Sequence, residues 1–143
     1  MSRESMSGVL MFLRYAFPCA EAQLAKGVID TRDYALLQRW INQDMPPMIE
    51  LLEQAFPEAV FKLKELSTKI DREPWSLNNV LDFWRNHHDY KNESCNVRVG
   101  KIKKIDGQIA VMDDNSMAFN IYALNIIVGR AVHIHRDVII EVI

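Results

Sequence analysis

A cysteine and a histidine in the last third of the chain are the residues best suited to chemistry. Cys95 stands where a β-rich segment begins, and His135 stands in the apolar stretch that follows it near the end of the sequence. A thiolate and an imidazole are ligands for soft or borderline transition metals, so the pair indicates a metal such as iron. The sequence leaves open that Cys95 is only a small, inert residue at a strand start.

The segment that must position these two residues has the period of β-strands. Apolar residues alternate with polar ones from Val97 onwards, and Gly100-Lys101 interrupts the alternation, which predicts a β-bulge there. Asp106-Gly107 predicts a tight hairpin turn. A further turn is predicted over 113–116, and one long strand over 131–142. Because such short strands would otherwise leave exposed edges, we expect the sheet to close into a small OB-like barrel.

The longer first part of the chain has the period of helices instead. From about Met6 to Tyr90 apolar residues recur three and four positions apart, which predicts roughly five helices packed as a bundle. Three positions carry signals for a helix start: Asp30 as a cap, Pro57 in a first turn and Ser76 as a second cap. No phosphate-binding loop or HExxH zinc motif occurs in these helices. The first part therefore predicts a scaffold without a recognisable catalytic motif.

The polar stretch Tyr90–Ser94 separates the two periodicities and predicts a linker. We therefore predict an α+β protein with a helical domain over 1–92 and a β-barrel domain over 93–143. The whole chain has 17 basic and 19 acidic residues, so it lacks the basic excess that captures nucleic acid. Its longest apolar stretch, Gly8–Leu13, is far shorter than a membrane span. These features predict a cytoplasmic protein without a membrane span and without a nucleic-acid partner.

Two spacing patterns in the second domain go beyond the strand period. Cys95 is followed five residues later by Gly100 and then by Ile105-Asp106-Gly107, and residues 128–135 read Val-Gly-Arg-Ala-Val-His-Ile-His. Both patterns resemble the HypC/HupF family of hydrogenase maturation chaperones, and His135 falls on the histidine of that family. The resemblance covers Cys95 to Ile143, while the helical part has no counterpart in the family.

The resemblance implies an accessory protein of nickel–iron hydrogenase maturation rather than an enzyme. A HypC-like barrel would hold an iron centre transiently through Cys95 and His135. It would also dock a protein partner, either the hydrogenase large-subunit precursor or a maturation scaffold protein. No carboxylate pair, nucleophile–base pair or cofactor fingerprint indicates a catalytic residue. The sequence leaves the oligomeric state open.

Six further residues are weaker or secondary candidates. His133 shares a strand face with His135, and His87 and His88 end the last helix, where they either add a metal ligand or favour the helix C-terminus electrostatically. If the last strand is regular, both strand histidines face outward or into a polar mouth. The basic residues of the first strand predict a solvated face or a partner-docking edge, and they are Arg98, Lys101 and Lys103.

Two alternative functions remain open at this stage. The first is a metal-free protein–protein adaptor, which is favoured by the internal position of Cys95, since family members begin with the cysteine. The second is an OB-fold that binds nucleic acid, which should carry exposed aromatic residues and a basic groove. The second domain has only Phe119 and Tyr122 as aromatic residues and a balanced charge, so nucleic acid is the weaker alternative.

Overall fold

The chain forms two compact units, Met1–His88 and Asp89–Ile143, in a computed structural model that describes residues 3–43, 48–87 and 97–143. The described part of the first unit is helical, and that of the second is a five-stranded sheet. The prediction of a protein that combines helices with a sheet is therefore confirmed. The predicted linker and the boundary between 92 and 93 lie outside the described residues.

Six α-helices lie in the described part of the first unit, where the sequence predicts about five. A short 3-10 turn, Phe17–Cys19, joins the first helix to the second, and a π-helical turn, Phe83–His87, extends the last one. The helices are α1 (Arg3–Ala16), α2 (Ala20–Ala25), α3 (Thr31–Asn42), α4 (Ile49–Ala55), α5 (Pro57–Lys69) and α6 (Leu77–Asp82).

The helix starts follow the local signals of the sequence. Asp30 Oδ1 accepts a hydrogen bond from the backbone N–H of Asp33 at 2.8 Å, and the Asp33 carboxylate accepts one from the Asp30 N–H. Ser76 Oγ caps α6 by accepting from the Asn79 N–H at 3.3 Å. Pro57 occupies the first turn of α5, where its missing N–H costs no helical bond. These three starts are confirmed as predicted.

An aromatic cluster fills the core of the helical unit. The ring of Phe12 lies 5.1 Å from Trp75, 5.3 Å from Trp84 and 6.4 Å from Phe56, in edge-to-face geometry each time. Tyr15 stacks on Trp84 at 5.6 Å. Phe12, Tyr15 and Trp84 are almost completely buried. Because edge-to-face and offset stacking add about 0.5–1.5 kcal/mol per pair to simple burial, this cluster anchors α1 to α6.

Five strands of the second unit pair in a closed ring. They are β1 (Val97–Asp106), β2 (Ile109–Met112), β3 (Met117–Phe119), β4 (Ala131–His135) and β5 (Val138–Val142). Their order is β1-β2-β3-β5-β4, and β4 returns to β1. All pairs are antiparallel except β3–β5, which is parallel and joins Phe119 to Val138. The ring encloses an apolar core of Ile102, Ala110, Met112, Ala118, Val132, Ile134 and Ile139.

The predicted long strand over 131–142 is wrong, because it is a hairpin of β4 and β5. Arg136 and Asp137 form the connection, with φ of 48° and 63°. Positive φ at both central residues is what a two-residue hairpin turn requires, and glycine or asparagine normally supplies it. Neither residue type occurs at this turn, and apolar residues continue on both sides of it. The sequence therefore carries no signal that the chain reverses direction here.

The predicted bulge in β1 exists but lies elsewhere. The pairing of β1 with β2 shifts between Ile102 and Lys104, whereas the sequence places the bulge at Gly100-Lys101. Gly100 and Ile102 both face the core, and Val99 is 62% exposed. The inward positions are therefore even-numbered as far as Ile102, and beyond the bulge Ile105 is the residue that packs against the core. The prediction went wrong because it took Val99 as an inward residue and had to introduce a slip after it.

The space beside Gly100 in the core is too small for a side chain. A Cβ at this position would stand 2.8 Å from Met112 Sδ and 2.9 Å from Ile134 Cδ1, both in the core. We expect Gly100→Ala to lower the free energy of unfolding of the sheet unit by about 1–3 kcal/mol through overpacking. Adding Ile134→Val, which removes the Cδ1 atom, should recover part of that loss. Urea unfolding of both single variants and the double variant tests this, and strictly additive effects would contradict it.

Candidate functional site

His135 is fully buried at the end of β4. Its Cα partner across β1 is Val97 and its partner across β5 is Val138. The expectation of a His135 that faces outward to solvent is therefore wrong. The strand alternation itself is regular: β4 pairs with β1 without a register shift up to Val97–His135, and the extra residue of the β4–β5 irregularity is Ile140 of β5. His135 therefore follows His133 on the same strand face, and alternation alone does not reveal that the strand end is buried.

His133 lies two residues earlier on the same strand and is half-buried. It pairs with Val99 of β1 and Glu141 of β5. Val132 and Ile134, on either side of it, face the core, so His133 occupies the outer face as predicted. The two histidines therefore differ in environment, although the sequence predicts a shared one.

Two of the predicted metal ligands, Cys95 and His88, lie outside the described residues. Within the described segments, no group of three or more histidine, cysteine, aspartate or glutamate side chains is arranged to hold a metal ion. The described residues that follow Cys95 most closely in the sequence belong to β1. Strand β1 begins two residues after Cys95, and its first residue, Val97, is the pairing partner of His135.

Arg98 connects three parts of the sheet unit. Its Nη1 donates to Ser116 Oγ at 2.9 Å, and its Nη2 lies 3.4 Å from Asp137 Oδ1 in the β4–β5 turn. Ser116 Oγ in turn donates to Asp114 Oδ1 at 2.5 Å, and the pKa of Asp114 is lowered, first by this bond and then by the bond from the Ser116 N–H. Arg98 thus links two turns through its partly exposed side chain, and these bonds make it less available to a partner than the sequence predicts.

The two lysines of the predicted docking edge are more accessible than Arg98. Lys101 and Lys103 are both exposed on β1. Lys103 occupies the bulge, and its Nζ donates to Asn115 Oδ1 at 2.9 Å. Their side chains lie on either side of Ile102, whose own side chain is in the core. The described geometry therefore presents both ammonium groups to solvent.

His87 belongs to a polar cluster in the helical unit. Asp82 lies at its centre and accepts hydrogen bonds from Arg72 Nη2 at 2.6 Å and from Asn86 Nδ2 at 2.8 Å. His87 Nε2 is 3.5 Å from the same carboxylate and lies at the last position of the π-helical turn. A π-turn shifts the side chains of a helix end by one position, which lets Asn86 and His87 both reach Asp82. This geometry agrees with an electrostatic role of His87 at the helix end.

The Asp82 cluster predicts a pH dependence. Hydrogen bonds from Asn86 and Arg72 hold the pKa of Asp82 below its usual value of 3.8. The carboxylate therefore stabilises the helical unit fully above about pH 4, and this contribution is lost as the pH falls through the lowered pKa. We expect Asp82→Asn to be less stable than wild type at pH 6 but to lose less on acidification to pH 3. Urea midpoints at both pH values test this, with Glu65→Gln as an exposed control; equal acid sensitivity of wild type and Asp82→Asn would contradict it.

The sequence interpretation missed an exposed turn at residues 127–130. Arg130 N–H donates to the Ile127 carbonyl at 3.1 Å, and Gly129 has a φ of 92°. Ile127 and Val128, at the tip, are 55% and 56% exposed. Apolar residues directly before a Gly-Arg pair were the available signal, but they resemble the start of a core strand. The turn matters because it lies beside the lysines of β1.

The described residues define a class of architecture: a helical unit and a closed five-stranded sheet. Comparison of the chain with protein-family models, with curated proteins and with solved structures finds no match. The HypC/HupF resemblance therefore remains a prediction. No helix in the described segments has both the length and the apolar character needed to cross a bilayer.

Proposed function

We propose that this protein is an accessory factor of nickel–iron hydrogenase maturation and not an enzyme. In this proposal the sheet unit is an OB-like, HypC-like barrel that carries an iron centre as cargo or docks the hydrogenase large-subunit precursor or a maturation scaffold. Cys95 supplies the thiolate ligand and His135 the imidazole. The protein works in the cytoplasm, where the maturation reactions occur.

The observation that carries the proposal is the pairing of Val97 with His135. Cys95 precedes Val97 by only two residues, and two residues of chain span at most about 7 Å. This short covalent connection supports the proposal that Cys95 and His135 act as one pair of ligands. The closed ring of strands also agrees with the barrel that the resemblance implies.

Three glycines of the resemblance have structural roles in the sheet unit. Gly100 faces the side chains of Met112 and Ile134, while Gly107 and Gly129 adopt positive φ in turns. These positions support a shared fold. These glycines do not bear on iron binding. The proposed iron binding therefore depends on Cys95 and His135 alone.

The burial of His135 favours a second function, the metal-free adaptor. An imidazole that is fully buried is poorly placed to exchange a metal with a partner, because ligand exchange needs access. In this alternative the barrel is retained as a docking module, and Cys95 and His135 are incidental. The alternative shares the protein partner with the first proposal and differs only in the iron.

An anaerobic pull-down separates the two functions. Wild type, Cys95→Ala and Cys19→Ala are purified from cells that express the hydrogenase maturation proteins, and co-purified proteins and bound iron are measured. Cys19→Ala is the matched control, because Cys19 is the half-buried thiol of the helical unit. For the iron carrier, we expect iron with wild type and Cys19→Ala and its loss with Cys95→Ala.

The other outcomes are equally informative. Maturation proteins retained by all three forms without iron would establish the adaptor. Iron retained by Cys95→Ala would contradict Cys95 as the ligand. If no form captures a maturation protein, the hydrogenase proposal is wrong.

A further inference from the structure

A surface beside the middle of β1 combines exposed cations with exposed apolar side chains. It consists of Lys101, Lys103, Ile127, Val128, Arg130 and Ile143, and we call it the basic turn surface. Backbone hydrogen bonds hold its parts together: Ile102 N–H donates to the Arg130 carbonyl at 2.9 Å, and Gly129 N–H donates to the Ile102 carbonyl at 2.8 Å. The turn that carries Val128 is therefore attached directly to the strand that carries both lysines.

The end of the chain joins the same surface. Ile143 N–H donates to the Ala131 carbonyl at 2.9 Å, and Ala131 is the pairing partner of Lys101. Arg130 Nη2 also donates to the Ile143 carbonyl at 2.9 Å. Lys101, Arg130 and Ile143 thus lie within one continuous stretch of the sheet unit rather than at scattered positions.

The surface contains three large apolar side chains that are more than half exposed. Ile127, Val128 and Ile143 are 53–56% exposed. Single exposed apolar residues need no explanation, but adjacent ones bordered by charges mark interaction sites. The backbone of the 127–130 turn is already closed by its own hydrogen bond, so the side chains are what the surface offers to a partner.

The cations of the surface form no ion pair with a side-chain carboxylate among the described residues. The ion pairs in that part of the chain do not include Lys101, Lys103 or Arg130. Lys103 is bonded only to the neutral Asn115 amide in that part. A partner with carboxylates would therefore supply charges that these described residues do not.

We propose that the basic turn surface docks an acidic segment of a partner protein that also carries apolar side chains. Partner carboxylates pair with Lys101, Lys103 and Arg130, while its apolar residues cover Val128, Ile127 and Ile143. Interface centres that are apolar and bordered by complementary charge have this composition. The inference rests on the proposed function only in taking a protein as the partner, and it names the chemistry by which that protein is recognised.

A polypeptide fits this surface better than an anionic membrane does. Asp113 lies beside Lys101, since its N–H donates to the Lys101 carbonyl at 2.9 Å, and Asp106 ends the same strand. A broad plane of lipid phosphates would approach these carboxylates together with the lysines. A discrete acidic segment can pair with the cations and leave the carboxylates in water.

Selection of peptides on the full-length protein tests this docking surface. A phage library of random peptides is selected on wild type, and the affinities of the enriched peptides are measured for wild type and two variants. The variants are the double change Lys101→Glu/Lys103→Glu and the single change Val128→Ser. We expect enriched peptides that combine acidic and apolar residues, and at least about tenfold weaker binding to both variants.

Matched controls change the same residue types elsewhere. Lys26→Glu/Lys69→Glu reverses two exposed lysines of the helical unit, and Val28→Ser removes a partly exposed valine there. Both controls, and Cys95→Ala, are expected to bind the selected peptides as wild type does. Circular dichroism on every variant confirms that the fold is retained before affinities are compared.

Several results would overturn the inference. Enriched peptides without acidic residues, no enrichment, or equal binding to the surface variants and the controls each contradict it. Binding to phosphatidylserine vesicles that is lost in the two surface variants would assign the surface to a membrane instead. Because none of these measurements depends on iron or on hydrogenase proteins, failure here is distinguishable from failure of the proposed function.

Discussion

Gly8→Ala is expected to destabilise the helical unit by about 3 kcal/mol, against the direction that helix propensity predicts. In an open helix this change would gain about 1 kcal/mol, because alanine is the better helix former. At Gly8, however, the added Cβ would overlap the carbonyl oxygen of Trp75 and stand 3.0 Å from the backbone nitrogen of Leu77. Backbone atoms cannot turn aside as a flexible side chain can, so α1 must separate from the segment that starts α6.

Tryptophan fluorescence during urea unfolding measures this effect selectively. The three tryptophans, Trp40, Trp75 and Trp84, all belong to the helical unit. Gly107→Ala in the sheet unit is the control, because no atom stands within 4 Å of its added Cβ and only the positive φ is unfavourable. We expect that control to leave the fluorescence transition unchanged. A stabilised or unchanged Gly8→Ala protein would show that α1 does not approach Trp75 as closely as described.

Phe12→Ala should lower the free energy of unfolding of the same unit by about 3–5 kcal/mol. The side chain is completely buried, and truncation would leave a cavity bordered by Phe56, Trp75 and Trp84. The loss combines transfer of the ring to water, the cavity that remains and the three ring contacts. A loss of this size is a large fraction of the roughly 5–15 kcal/mol by which native domains are stable, so the denaturation midpoint of the unit should fall markedly.

The chain offers a matched control for this truncation. Phe61 on α5 is 65% exposed, and Phe61→Ala is expected to change the unfolding free energy by no more than about 0.5 kcal/mol. Both variants remove the same atoms from the same unit. Chemical denaturation of the two proteins therefore isolates the effect of position, and comparable losses would contradict the aromatic core described for α1.

Features that depend on a few neighbouring residues were predictable from the sequence. The cap at Asp30, the helix start at Pro57 and the cap at Ser76 each result from local hydrogen bonding or backbone geometry. The hairpin after β1 was also predicted, although its turn residues are Gly107 and Gln108, one position later than expected. Such signals need no knowledge of what packs against them. They were sufficient to separate a helical segment from a sheet segment.

Features that depend on pairing between distant strands were not predictable in the same way. Val99 reads as an inward residue by its type, yet Gly100 takes the inward position because Met112 and Ile134 fill the space beside it. The turn at Arg136-Asp137 places both residues at positive φ, a conformation that is uncommon for arginine. Strand partners impose both choices, and a single sequence does not reveal those partners.

The same distinction between local and long-range features applies to the candidate site. The sequence identified His133 and His135 by type and spacing, and it placed His133 on the outer face of its strand. It could not foresee that His135 is buried, because alternation places both histidines on one face of β4 and does not show that the end of that strand is covered. Likewise, the charge of Arg98 and its position on a strand predicted a docking residue. In the structure its side chain is hydrogen-bonded to residues of two turns instead.

The parallel pair of β3 and β5 has a consequence for how the sheet unit opens. Its described register contains one residue pair, Phe119 with Val138, supported by the 2.7 Å bond from the Phe119 N–H to the Asp137 carbonyl. The β1–β4 pair, by contrast, extends over five residue pairs. Thermal fluctuations should therefore break the ring first at β3–β5, and the Phe119 amide should exchange with deuterium early. A ring that opens at β3–β5 becomes an open sheet with two unpaired edge strands. Self-association of the unit would therefore begin at these two strands.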